Sequence, residues 1–439
     1  MNPRSRVHRA RNWALAALAA TGLTGRGVSS GQEPPQASPT TQAVPVATER
    51  TPYDPDQVRK TVAFWQAQSG RDAQGAIALR ELAAAYLSLQ RETGDIADAV
   101  RAEDAARRSL KVLSRGNSGA ATRLARALLA QHRFPEALAI ATLIASGDPQ
   151  GSRLVADIQL ELGDYDAARK ALEAVPAESE DMNYKALRAR FEAIDGRPDQ
   201  ALRLMKEARA LADERPDMPA EVVAWYGTMV GHMLIDSGQL DEGEKSCHEA
   251  LKVFPRDYRA MTGLAEAATW RGDHQGAVDW GLKALAISAQ NPEALRLVGE
   301  GYAAMGKQQE ADEQYRRLET LAHSFPRIYD RHWVLFCADN DRHLDEALAL
   351  ARKDLELRHD IHGYDALAWA CYKKGLLPEA GRMMEEALAR GTQEAPLLQH
   401  AATIARALGD RGRADTLLAR ARVLNPYLVK ASEASPAAK

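Results

Sequence analysis

Residues 302–315 read YAAMGKQQEADEQY, with Gly306 and Ala311 set between Tyr302 and Tyr315. A glycine after a helical pattern takes the left-handed conformation that ends a helix. The acids Glu310, Asp312 and Glu313 follow it. They suit the positive end of a second helix. Small residues on both flanks, Gly299 before the turn and Ala311 after it, let two helix axes approach to about 8–10 Å. The stretch predicts a helix–turn–helix.

The same ladder recurs. Gly238, Gly272 and Gly306 are evenly spaced, and Gly375 and Gly409 repeat the same step. From Gly306 to Gly375 the distance is two periods plus one residue. Gly196, Gly163, His132 and Gly94 continue the series backward at looser intervals. Five residues after these landmarks stand Ala99, Ala137, Ala168, Ala201, Gly243, Ala277, Ala311, Ala380 and Ala414. Seven before them, from His132 onward, stand Ala125, Ala156, Ala189, Gly231, Ala265, Gly299, Ala368 and Ala402. A helix pair this short cannot bury its apolar face alone, so pairs must stack into one continuous core.

The pattern resembles the tetratricopeptide repeat, a helix–turn–helix of about 34 residues. Residues 292–325 carry it in Leu295, Gly299, Tyr302, Gly306, Ala311 and Tyr315; residues 224–257 in Gly231, Leu234, Ala250 and Pro255; the last repeat in Ala402, Ala414, Ala421 and Pro426. Leu318 and Gly243 depart from the family's small residues, and residues 327–360 read as a degenerate repeat with one extra residue in its turn. The resemblance implies an all-α, right-handed α–α superhelical solenoid of about ten repeats.

Composition agrees. The chain is 45% hydrophobic but only 6% aromatic, rich in helix formers and nearly without β-branched alternation. Four boundaries follow. Residues 1–30 read as a signal peptide: Arg4, Arg6, Arg9 and Arg11, then the short apolar run WALAALAATGL at 13–23, too short to span a membrane comfortably. Residues 31–56, rich in Pro, Gln and Thr, read as a disordered linker. Residues 57–426 are the solenoid and 427–439 a flexible tail. The chain has 57 basic and 60 acidic residues, and residues 1–30 hold five arginines and no acid. Cleavage would therefore take the net charge from −3 to −8. Such a chain has no electrostatic case for nucleic acid. A lipoprotein signal would need Cys where Arg26 stands. The expected location is periplasmic or secreted, with no integral membrane domain in the mature chain; an uncleaved inner-membrane anchor is the alternative.

No phosphate-cradling glycine loop, nucleophile elbow or His-Glu-x-x-His helix is present, and no catalytic residue or cofactor is expected. Cys337 and Cys371 stand one period apart, hence in equivalent helices too far from each other for a disulfide. With Cys247 they read as packed thiols. His323, His332, His343, His359 and His362 share one window, with Asp360 and Asp365 nearby. Those types could bind zinc, an alternative function. Against it, His359 precedes the helix start, which spoils the two-histidine geometry.

The resemblance also implies a concave groove lined by the first helices. Carried over, it presents Trp225, His232, Arg259, Glu266, Arg296, Glu300, His362, Asp365, Trp369 and Tyr372. The family's Lys/Asn carboxylate clamp is not matched at these positions. Trp369 and Tyr372 beside Asp365 would suit a peptide with an aromatic or basic anchor; the competing reading packs Trp369 against the next repeat. The expected function is a non-catalytic scaffold or adaptor of the cell envelope that binds protein or peptide. A membrane-tethered regulator is the remaining alternative.

Overall fold

A computed structural model describes residues 50, 52–72, 74–176 and 181–428. The expected signal peptide, most of the linker and residues 429–439 lie outside them. The described residues form twenty-one α-helices. Helix α1 (Gln57–Arg71) leads into ten pairs. The first five are α2 (Ala76–Thr93) and α3 (Ile96–Val112), α4 (Ser118–Ala130) and α5 (Phe134–Ala145), α6 (Pro149–Leu162) and α7 (Tyr165–Glu173), α8 (Met182–Ile194) and α9 (Pro198–Asp213), α10 (Ala220–Asp236) and α11 (Leu240–Val253). The second five are α12 (Tyr258–Arg271) and α13 (His274–Ile287), α14 (Pro292–Ala304) and α15 (Gln308–Ser324), α16 (Asp330–Asp339) and α17 (Leu344–Leu355), α18 (Ile361–Lys373) and α19 (Leu377–Leu388), α20 (Ala395–Ala407) and α21 (Arg411–Leu424).

Each landmark lies in the turn inside a pair. The eight landmark glycines have φ between 71° and 91°, and His132 has φ 55°. Asp341 (φ 51°) takes the same place in the degenerate pair, one position past the regular step from Gly306. Several landmarks are followed by aspartate, which caps the second helix: Asp95, Asp164, Asp273 and Asp410 each accept a hydrogen bond from a first-turn backbone N–H. One Gly-Asp dipeptide thus ends one helix and starts the next. The small residues flanking the turns are buried, with Ala99, Ala125, Ala137, Ala156, Ala168, Ala201 and Ala277 all fully so. The three cysteines are free and buried.

First helices pack on the next first helices, α2 on α4, α10 on α12, and so along to α18 on α20. They form the inner layer of a coil. The second helices lie outside; the last, α21, turns Ala414, Leu417 and Ala421 inward and leaves Val423 exposed.

The coil returns onto itself. Gln290 bonds the Ile96 N–H and Asp95 across 194 and 195 residues. The His132 ring meets the Arg327 carbonyl across 195, the Ile361 N–H donates to Tyr165 Oη across 196, Arg390 donates to Asp195 across 195, and Asn425 donates to the Asp236 carbonyl across 189. The offset is nearly constant, so the path closes one turn in between five and six repeats and the second turn lies on the first. Each contact joins the turn region of an early pair to a segment that follows a later pair.

The ends of the folded body differ slightly from the sequence reading. Arg50 donates to the Met218 carbonyl at 3.0 Å. Tyr53 donates to Glu92 at 3.1 Å and meets Phe254 edge-on. The last residues of the expected linker are therefore docked, because Tyr53 and Arg50 find both apolar surface and acceptors. At the other end Leu428 is fully buried, so packing extends beyond Pro426.

Candidate functional site: the inner face of the coil

The residue six before each landmark points to the inner layer. Those positions hold Ser88, Arg126, Asp157, Arg190, His232, Glu266, Glu300, Trp369 and Thr403. Small residues sit one place earlier, against the partner helix. Eight of these nine are polar; Trp369, and Leu335 six before Asp341, interrupt the run, and tight coiling withdraws much of the face from water.

The expected groove residues sit on this face, but most are covered. Trp225 is 3% exposed and edge-on to Tyr226. His232 is buried with Nε2 2.9 Å from the Arg259 carbonyl. Arg259 stacks on Tyr258 and donates to the Arg91 carbonyl at 2.9 Å, joining the two turns. Glu266 is buried. Arg296 is held by Glu293 and by Glu300, the latter at 2.6 Å. At the far end Trp369 is 2% exposed, stacked on Tyr372 and His400, with its Nε1 donating to Asp339 at 2.7 Å. Asp365 is 1% exposed and bonded to His400 Nδ1 at 2.9 Å. A peptide could not touch Trp369 or Asp365 without moving helices. That is the packing alternative for this cluster: both find partners on adjacent helices. Arg259, Glu300, His362 and Tyr372 keep partial exposure.

The central feature was missed from sequence: a buried ion network that crosses between turns. Arg190 on α8 pairs with Asp157 and, at 2.6 Å, with Glu161 on α6. The other Glu161 oxygen accepts from Arg358 Nη2 at 3.2 Å, while Arg358 Nε donates to the Glu161 carbonyl. Asp360 caps α18 through the His362 and Gly363 N–H groups. It also receives both guanidinium nitrogens of Arg331, at 3.0 and 2.9 Å. Arg331 reaches Asp354 as well, at 2.6 Å. Burial raises the Glu161 pKa above the ordinary value, against Arg190 and Arg358, which lower it. Burial works the same way on Asp360, yet Arg331 and Arg358 hold its carboxyl well below the ordinary range. A cavity of about 40 Å³ lies beside the network, lined by Leu160, Met205, Met233 and the charged groups, room for water. The sequence signal was the register of Asp157 and Arg190. Arg358 lies in a loop and gave none.

His362 adds a titration. Its Nε2 lies 3.0 Å from Glu394. Burial lowers its pKa, but Glu394 and Asp360 outweigh that and raise it to about 10. A folded pKa above the ordinary value, about 6.5, gives stability that is complete below that pH and is lost as pH rises toward 10. His362→Gln should therefore flatten the fall in melting temperature between pH 7 and pH 10 relative to wild type. An unchanged slope would remove His362 from this role.

Among the described residues, no three of His, Cys, Asp and Glu converge as a metal-holding group. His323 instead bonds Glu346 at 2.7 Å, and His359 lies beside Tyr364. No described helix is long and apolar enough to cross a membrane.

Residues 122–183 and 231–292 match a family model described as tetratricopeptide repeat. No curated protein matches the chain. Among solved structures, yeast Tom70 is 14% identical over 87% of this chain and 92% of its own, with a TM-score of 0.37. Human IFIT1, solved as a dimer with PPP-AAAA, is 14% identical over 83% and 86%, at 0.45. A tetratricopeptide repeat protein from Parabacteroides merdae is 16% identical over 58% and 98%, at 0.34.

Proposed function

We propose that the chain is a tetratricopeptide-repeat scaffold, non-catalytic, that binds a protein or peptide along its inner face and is exported to the cell envelope. The observation that supports the reading is the register six residues before each turn, which is polar at Ser88, Arg126, Asp157, Arg190, His232, Glu266, Glu300 and Thr403. Polar side chains on an inner helical layer supply hydrogen-bonding groups to a ligand laid along the coil. The step from fold to binding is an analogy. The partly exposed residues of the face are Arg259, Glu300, His362 and Tyr372. The basic start and short apolar run of residues 4–23 support export.

Site-specific photo-crosslinking in the host tests the binding reading. A crosslinker replaces Tyr372 and Thr269, each three residues before its landmark glycine on a first helix, or the outer, exposed residue Leu282. The same adduct from both inner positions and none from Leu282 is expected. Adducts only from Leu282 would move the partner to the outer layer and sink the inner-face reading. The mature N-terminus, sequenced from protein released by osmotic shock, should fall near residue 31; protein that stays in the cytosol with residue 1 intact would end the export reading.

A further inference from the structure

We propose that the cavity between the two turns of the coil, where α9 and α10 face the start of α20 and the end of α21, takes a lysine side chain of a peptide partner. The site is additional to the inner-face reading and does not rest on it.

The cavity measures about 250 Å³. Its first-turn wall holds Asp199 and Leu202 of α9 with Met233 and Asp236 of α10. Its second-turn wall holds Glu394 and Pro396 at the start of α20 with Val423 and Leu424 at the end of α21. Neither turn forms it alone. Contacts next to the lining residues pin the two walls together: Arg390 donates to Asp195 at 2.9 Å, and Asn425 donates to the Asp236 carbonyl at 3.2 Å. A site held open in this way costs a ligand little reorganisation. Asp199 and Val423 are exposed, so the cavity is open to solvent beside them.

The lining selects a cation. Its three charged residues, Asp199, Asp236 and Glu394, are all acids. Of the bases around it, His362 is held by Glu394 at 3.0 Å, and Arg197 is held by Glu192 and Asp195. Arg203 and Arg422 are exposed and do not line the cavity. Counting His362 against the three acids still leaves the site negative.

The geometry selects the kind of cation. Among the described residues no three of His, Cys, Asp and Glu converge as a metal-holding group, so these carboxylates do not share a compact ion. The remaining wall is largely apolar, with Leu202, Met233, Pro396 and Leu424. A lysine side chain meets both demands, laying its methylene stem on apolar surface and carrying a charged head beyond it. A cavity of about 150 Å³ holds a benzene ring, so this one admits the stem and its ammonium. The acids come from three separate elements, which suits the three rotatable donors of an ammonium better than the planar fork of a guanidinium.

The test uses the full chain and fluorescence anisotropy with end-capped, fluorescein-labelled Gly/Ser peptides that differ at one central residue. That residue is lysine, norleucine (a stem without the charge), 2,4-diaminobutyrate (the charge on a shorter stem) or arginine. The lysine peptide should bind about tenfold tighter than the norleucine and diaminobutyrate peptides, the scale of hydrogen bonds to a charged group. Val423→Arg places a cation at the mouth and should abolish the preference; the melting temperature should hold, because Val423 is 84% exposed. Asp199→Asn, also at an exposed position, should reduce the preference and serves if the arginine variant does not fold. Binding of none of the peptides, equal binding of lysine and diaminobutyrate, or a preference that survives Val423→Arg would overturn the site. Tighter binding of the arginine peptide would overturn the lysine assignment. Tighter binding of the lysine peptide after Lys430 and Lys439 are both replaced by serine would make the chain's own end the occupant and overturn the partner assignment. The crosslinks at Tyr372 and Thr269 judge the inner-face reading separately.

Discussion

Gly163→Ala should destabilise the fold by about 2–5 kcal/mol, and Gly306→Ala by about 1–2 kcal/mol. The two glycines hold the same place in their repeats, with φ of 82° and 76°. Any L side chain there meets the left-handed penalty, which is the whole cost at Gly306, where an added Cβ would meet nothing within 4 Å. At Gly163 the Cβ would fall 2.2 Å from the carbonyl carbon of His359, in the second turn. That atom is backbone, fixed by the His359 N–H donating to the Leu162 carbonyl at 2.8 Å. Relief would require parting the two turns. Urea unfolding of the two variants against wild type measures the difference. Equal losses would mean that the turns do not touch in solution. Gly196 repeats the contrast, its Cβ meeting the Gly391 carbonyl oxygen, against an open Gly375.

The second large effect is expected at Arg358→Leu, about 3–5 kcal/mol. Arg358 is 3% exposed and ties Glu161 of the first turn to Asp360 of the second. Removing it leaves Glu161 with Arg190 as its remaining cation and deprives Asp360 of one of three, with Arg331 and His362 remaining. Glu161→Leu alone should also destabilise, since Arg358 then faces a shortage of acceptors. The double variant should lose less than the sum, with a coupling of about 1–3 kcal/mol. The residues are 197 apart in sequence, so coupling of that size can come only from contact between turns. Strict additivity in the double-mutant cycle would contradict the network.

The repeat was legible because its causes are local. Gly306 ends one helix, and Gly299 and Ala311 permit a close crossing within a short stretch on either side of it. The degenerate pair was placed by the single extra residue between Gly306 and Gly375, and Asp341 occupies the turn that count required. The inner register was only half legible. Trp369 and Asp365 were located on the inner helices, but the pattern left open whether they face a groove or pack on the next repeat. This coil is tight enough that His400 and Asp339 close over them. Arg126, Arg190 and Arg331 were overlooked because an arginine in a helix reads as solvated until its surroundings are known.

The sequence alone determined the helix pair, its turn and the small residues that let pairs stack, since all of these act within a single repeat. The tertiary structure alone decided the pitch. Pitch is a sum of small rotations between neighbours, and only after five to six repeats does it bring Gly163 against His359 and Glu161 against Arg358. Contacts at that separation leave no period in the chain, so Gly163 and Gly306 look alike in sequence while one is pressed against backbone and the other faces open space.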